Sequence, residues 1–433
     1  MPLHRIHPTT NAMDATKAPE SSVRFGQRRA TVPGVGRIGL ADPSSASPRW
    51  TVSARPGCRV PGAQLVPGSR ERFGACTTGT VIPAFEASVQ GLKTFLANLR
   101  DSLEPLELQL RAAPAGTRGS IEETVLGTLE ARIVPRVLEW MDRFDALADT
   151  IDDDARESHR AYARRHLHPL LLGSPFVRRA LRKPLGYAGD YEMVNMILRD
   201  PREGATLFAK IVNVVFLRNP PAIAHRNRIR HLKQRIAAET ARITATGRPC
   251  RILNLGCGPA REVQEFLAED AGSNHADVTL LDFNGETLEF VREHLGQMRT
   301  HHRRRAALRF EQQSIGGLLG RSRQPDAGPR RDGYDFVYCA GLFDYASDRI
   351  CSRLAARLHG MLAPGGLLLV TNVDDSKPFR QSMEYLLDWR LVYRDRDRLR
   401  QLVPDGAAAV EVLADPTGVN LFLEVRRRVG RGL

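Results

Sequence analysis

Cysteine and lysine are both scarce in this chain. Six cysteines stand in 433 residues, at positions 58, 76, 250, 257, 339 and 351. None forms a Cys-x-x-Cys pair or a metal-ligand spacing. That pattern excludes a disulfide scaffold and a structural metal site, and it reads as reduced thiols with no bound metal. Aromatic residues are only 6% of the chain. No apolar run reaches the roughly 20 residues that a bilayer-spanning helix requires. The first residues include His4, Arg5 and Pro8 in place of an apolar signal core. A cytoplasmic location without stable membrane insertion is therefore expected.

Acidic residues are also in deficit, and the net charge is +14. Its location decides what it means. Residues 1–80 carry eleven Arg or Lys against four acids, half of the whole surplus. Only six of the 63 basic residues are lysine. A bias that uniform fits a compositional drift better than a phosphate-binding face, so no nucleic-acid partner is expected. The 42% hydrophobic and 26% charged fractions are those of a globular protein with room for two or three domains.

Residues 1–78 are rich in Pro, Gly, Ser and Arg and lack any sustained period. Such a stretch cannot bury enough apolar surface to offset ordering entropy, so a disordered basic tail is expected. An internal start such as Met13 is an alternative beginning. Residues 79–246 turn helical: Phe85, Val89, Leu92, Leu96 and Leu99 recur at helix spacing, and Ile121 to Phe144 repeats the pattern, with Pro135 as a kink. Further helices are expected at 153–167, 190–199, 204–217 and 221–244, making an N-terminal all-α domain. Packing or homodimerisation is the plain reading of its first two helices. Asn219-Pro220-Pro221-Ala222 lacks the stacking aromatic of base-methylating motifs and reads as a helix start.

Residues 247–433 alternate strand and helix. Strands are expected at 251–255, 278–282, 307–312, 334–339, 366–373, 409–414 and 419–426. Helices are expected at 260–270, 285–299, 348–362 and about 379–402. Alternation of this kind specifies an α/β fold, a doubly wound sheet with helices on both faces. Ligands then bind beyond the carboxyl ends of the strands, where strand order reverses. The first strand ends in Asn254, Gly256, Cys257 and Gly258, a turn in which glycine lets a ligand approach the backbone. The second ends in Asp282, placed to accept both hydroxyls of a ribose, with Phe283 following. The third ends in Gln313 and Ser314, within reach of an adenine amino group. The fourth ends in the small residues Cys339, Ala340 and Gly341, against which a flat group can pack.

This set resembles the class I S-adenosylmethionine-dependent methyltransferases. The matching pieces are Leu253 to Gly258, Asp282, Tyr334-Asp335-Phe336-Val337 and the run Leu362-Ala363-Pro364-Gly365-Gly366, read as a helix end leading into a strand. The third glycine of a dinucleotide loop is replaced by Ala260. The resemblance implies a Rossmann-like seven-stranded sheet and S-adenosyl-L-methionine as cofactor. Three further segments are similar to a bacterial group that includes the quorum-sensing synthases of 3-hydroxy fatty acid methyl esters. They are Pro184 to Tyr191, Ala340 to Tyr345 and Met383 to Trp389. That similarity implies a carboxylate on a small, acyl-type substrate and a slot for its chain.

Tyr187, Asp190 and Tyr345 are the expected catalytic residues, with Tyr191 on the cofactor and Asp344, Met383, Tyr385 and Trp389 on the acceptor side. An N-cap alone would explain Asp190, and core packing would explain Met383, Tyr385 and Trp389. A carboxylate acceptor is already ionised at neutral pH and needs no general base. A hydroxyl or amine acceptor would need one, from Tyr187, Asp190, Asp344, Tyr345 or Glu384. A non-catalytic cofactor-binding scaffold is the reading from a different class.

Overall fold

The structure is a computed structural model and describes residues 81–320 and 333–429. The expected disordered tail, Cys58 and Cys76 lie outside the described residues. The chain opens with two long helices, α1 (Pro83–Ala112) and α2 (Ala115–Asp149), broken at the Ala113-Pro114 dipeptide. Phe85, Val89, Leu92, Leu96, Leu99 and Leu103 form one buried stripe of α1, as their three-to-four spacing dictates. Gly91 lets the two helices close: a Cβ there would stand 2.6 Å from the Trp140 ring. The helix α2 runs on through Pro135, so the proline does not end it.

Five more helices follow: α3 (Arg156–Leu171), α4 (Pro175–Arg182), α5 (Tyr191–Leu198), α6 (Leu207–Leu217) and α7 (Pro220–Thr244). The sequence reading missed α4, because Pro175 looks like a breaker. It occupies the first helical turn, where its missing N–H costs nothing, and Ser174 caps the helix by accepting from the Val177 amide. At α7 the Asn219 side chain accepts from the Ala222 amide, which accounts for the Pro-Pro pair as a helix start. Among the described residues no single helix is long and apolar enough to cross a membrane.

The sheet has seven strands: β1 (Cys250–Leu255), β2 (Ala276–Asp282), β3 (Ala307–Gln312), β4 (Tyr334–Cys339), β5 (Leu362–Val373), β6 (Ala407–Ala414) and β7 (Asn420–Arg427). Their order is β3-β2-β1-β4-β5-β7-β6. Strands β1 to β5 pair in parallel, while β7 is antiparallel to both β5 and β6. The chain thus moves outward from β1 to β3 and then returns to lay β4 against the other side of β1. The resulting crevice lies at the carboxyl ends of β1 and β4, where Leu255 stands between Leu281 and Cys339. Six helices accompany the strands: α8 (Arg261–Glu269), α9 (Gly285–His301), α10 (Ile315–Gly320), α11 (Asp348–Gly360), α12 (Arg380–Leu386) and α13 (Arg396–Arg400).

Two further expectations need correction. The Pro364-Gly365-Gly366 run belongs to the irregular start of β5, because α11 already ends at Gly360. Gly366 is packed so tightly that a Cβ would meet the carbonyl oxygens of Ala363 and Tyr334 at 2.9 Å. The single helix expected over 379–402 is instead the short pair α12 and α13, separated by a non-helical stretch. Asp388 is left-handed there, with φ 52°. Its carboxylate binds Lys183 at 2.5 Å and Arg164 at 3.1 Å. Arg394, wholly buried, donates to the carbonyls of Phe343 and Ala346 and to Asn372 Oδ1. These bonds hold the segment open against helix propensity.

The same pair explains how the helices join the sheet. α12 is inserted into the helical core, where Met383, Tyr385, Leu386 and Leu387 pack with α1, α2 and α3. Asp145 of α2 accepts from the amides of Gln381 and Ser382, which cap that inserted turn.

Candidate functional site

The turn after β1 is left-handed at three of five positions: Gly256 (φ 67°), Gly258 (φ 50°) and Ala260 (φ 49°). Ala260 pays a Cβ penalty of about 1–2 kcal/mol there, so the position tolerates what glycine would adopt freely. The amides of Gly256 and Cys257 donate to the Leu281 carbonyl, tying the turn to β2. Beside Gly258 a Cβ would meet nothing within 4 Å, so its face is open space. Below the turn, Asn254 Nδ2 and the Tyr338 hydroxyl both donate to Glu262 Oε1, at 3.1 and 2.8 Å. Burial raises the Glu262 carboxyl.

Asp282 closes the other side. Its Oδ2 accepts from the Gly258 amide at 3.2 Å and its Oδ1 from Asn284 at 3.0 Å. Burial raises its pKa, and those amides hold part of the rise back. Asn284 caps α9 by accepting from the Thr287 amide, which leaves Asp282 free of that duty.

Turn and carboxylate line one cavity of about 530 Å³, within the range of small-molecule sites. Asn254, Gly256, Cys257, Gly258, Asp282, Phe283, Gln313, Ala340, Gly341, Asp344 and Tyr345 line it. So do Tyr187, Tyr191, Met383 and Trp389, which brings the sequence-derived set largely together. Gly189 is where the three segments outside the turn meet. A Cβ there would stand 2.5 Å from the Tyr345 hydroxyl and 3.2 Å from the Trp389 ring. The Trp389 indole donates to the Tyr345 hydroxyl at 2.9 Å. The Tyr187 ring lies 5.5 Å from Phe283, and the Tyr191 ring 4.7 Å from Phe290 on α9. The Tyr191 hydroxyl donates to Glu286. Burial, then the charge of Asp282, pushes the Tyr187 hydroxyl up to about 12, so at neutral pH it can donate a hydrogen bond but not take a proton.

Four of the expected residues stand elsewhere. Asp190 is fully buried outside the cavity lining; it caps α5 through the Met193 amide and takes two bonds from Arg179, at 3.0 and 2.9 Å. Buried behind the lining and held by these three bonds, it does not face a substrate in the cavity. Cys339 is a core residue of β4, its side chain packed under the sheet with Leu253 and Val370. Ser314 accepts from the Gly317 amide and starts α10, a helix the sequence did not announce. Tyr385 is buried in the helical core, 5.9 Å from the Phe85 ring and 5.7 Å from that of Phe144.

Sequence reasoning missed the cations of the cavity, half-buried Arg228 and buried Lys377. Arg228, on α7, lies 3.2 Å from the position of a Cβ on Gly341. It donates to His225 Nδ1 at 3.0 Å and forms no ion pair among the described residues. Burial, with Arg228 and Arg226 nearby, holds His225 well below its ordinary range, so the ring is neutral. Lys377, in the loop after β5, is 5% exposed and also lines the cavity. In a chain so rich in arginine, and with no spacing signal, nothing singled these residues out.

Residues 247–402 match a methyltransferase-domain family. Three solved structures show the extent of structural likeness. A possible exported protein from Bordetella parapertussis is 18% identical, with 69% of this chain and 98% of that one covered and a TM-score of 0.44. An O-methyltransferase family protein from Burkholderia thailandensis is 13% identical, with 69% and 85% covered and a TM-score of 0.35. Magnesium protoporphyrin IX methyltransferase from Synechocystis PCC 6803, with bound S-adenosylmethionine, is 13% identical, with 47% and 83% covered and a TM-score of 0.32. No curated protein matches the chain. The domain match and the sheet order agree: the chain carries a Rossmann-like methyltransferase domain. Residues 247–402 are thus a methyltransferase domain.

Proposed function

We propose that this enzyme methylates the carboxylate of a small lipid-like acid, such as a 3-hydroxy fatty acid, to give a methyl ester. One observation carries the reading: the cavity that begins at the glycine turn continues into an apolar compartment that holds Arg228 and Lys377, neither of which forms an ion pair among the described residues. Phe176, Ile197, Phe216, Leu387 and Leu391 supply its apolar walls. An acyl chain suits those walls, and an anion suits Arg228 and Lys377.

In this reading the open face of Gly258 and the backbone of Gly256 and Cys257 receive the donor, a cradle that a Cβ would fill. Asp282 accepts the ribose hydroxyls, Gln313 reaches the adenine, and Phe283 and Tyr191 cover it. Ala340 and Gly341 flank the amino-acid end, and Arg228, electrostatically coupled to Glu262 beneath the turn, takes its carboxylate. When bound, S-adenosylmethionine would supply a methyl group on a sulfonium, open to in-line attack by the acceptor with the thioether as leaving group. An ionised carboxylate needs no proton removed, so Tyr187, Tyr345 and Trp389 orient the acceptor and keep water out.

A second reading rests on Asp344. Burial pushes its carboxyl up to about 6, although Arg228 and the Val373 amide hold it down. A group of that pKa at a cavity wall suits a hydroxyl or amine acceptor. Labelled methyl transfer from S-adenosylmethionine into lipid, protein and RNA fractions separates the readings. Label in lipid is expected; label in RNA or protein would overturn the acyl acceptor, and tight donor binding without transfer would favour a scaffold.

A further inference from the structure

Lys377 is an ammonium held out of water with almost nothing to bind. It is 5% exposed, and its Nζ lies 3.3 Å from the Met383 thioether, a weak acceptor. The Tyr393 ring is 5.4 Å away. Among the described residues Lys377 forms no ion pair. The acids around it are engaged elsewhere. Asp145 of α2 accepts from Gln381 and Ser382, Glu384 of α12 pairs with Arg380, and Asp344 accepts from the Val373 amide. Arg380 adds repulsion from its own side. An isolated buried cation is costly unless an anion arrives. Its side chain lines the acceptor part of the cavity alongside Met383.

We propose that Lys377 is the receptor for the acceptor's carboxylate. The proposal rests on the carboxylate reading above and gives it a residue. One carboxylate oxygen pairs with Nζ while the other is free to form the new bond to the methyl carbon. The methyl–sulfur bond breaks with its electron pair kept by sulfur, and no proton moves. The acid loses its charge as it becomes an ester, so the ion pair with Lys377 disappears at the same moment. Product release follows from the chemistry itself.

The free amine is pushed down to about 8 by burial, with Asp145 and Glu384 opposing and Arg380 adding to the fall. Acid binding should therefore weaken between pH 7 and 9, as the amine sheds its proton.

The test is calorimetric binding of decanoate and decanol to the full chain saturated with S-adenosylhomocysteine, with methyl transfer to decanoate measured alongside. Wild type should prefer decanoate by about tenfold or more, the worth of one charged hydrogen bond. Lys377→Met should lose that preference and raise the acceptor KM, with S-adenosylhomocysteine affinity within about twofold of wild type. Lys377→Arg should keep the preference and remove the decline above pH 8. A Lys377→Met protein that still prefers decanoate overturns the role of Lys377 alone. A wild type that binds both probes equally and methylates no acid overturns the carboxylate reading and this proposal together.

Discussion

At the residue scale, Asp190 and Asp282 are both buried carboxylates just ahead of a helix, Asp190 as the cap of α5 and Asp282 as the last residue of β2, yet their neighbours give them different work. Asp190 spends both oxygens on Arg179 and an α5 amide. Asp190→Asn should therefore cost stability, about 1.5–3 kcal/mol for the lost charged bonds, while donor affinity stays near wild type; thermal unfolding and calorimetry check the two halves. Asp282, which also accepts from amides, lines the cavity. Asp282→Ala should weaken donor binding at least about tenfold, with little change in unfolding temperature. Gly189 is the third informative position. Gly189→Ala pushes a methyl into the Tyr345–Trp389 pair, so the acceptor KM should rise while the donor Kd does not move.

At the element scale, the stretch between α12 and α13 matters most, and it is also where the sequence was least legible. Strands β1, β2 and β4 announced themselves because buried parallel strands read as near-continuous apolar runs. The glycine turn and Asp282 could be read because their spacing follows from the ligand. The 379–402 region reads as one helix because helix spacing is local. What breaks it is not local: Lys183 and Arg164 on Asp388, and the carbonyls of Phe343 and Ala346 on Arg394. The same limit hid Lys377 and Arg228, whose meaning depends on partners they lack. Burial alone would raise the Asp388 carboxyl, but its bonds to Lys183 and Arg164 outweigh burial and hold it below the ordinary range. A depressed carboxylate stabilises the fold above its unfolded pKa and ceases to as pH falls through the folded value. The difference in unfolding temperature between wild type and Asp388→Asn should thus be constant from pH 8 to 5 and close below about pH 4.

At the scale of the whole molecule, the helical layer and the sheet are not separable parts. α12 leaves the sheet and packs in the core of α1, α2 and α3, and α7 supplies Arg228 and His225 to a cavity floored by strand ends. The described residues should accordingly unfold in one transition. Tyr385→Ala, in that shared core, should lower stability by about 3–5 kcal/mol without splitting the transition; calorimetric and van't Hoff enthalpies that agree would show it. The proposed function has the same shared character, with the donor assigned to the strand ends and the acceptor to the space between sheet and helices. The central claim is that the acceptor atom is a carboxylate oxygen. Its most direct test is the product made from 3-hydroxydecanoic acid with S-adenosylmethionine labelled in the methyl group, treated with mild alkali. An ester gives up its label as methanol, which is the predicted result; label retained on the lipid would mean an ether at the hydroxyl and contradict the account.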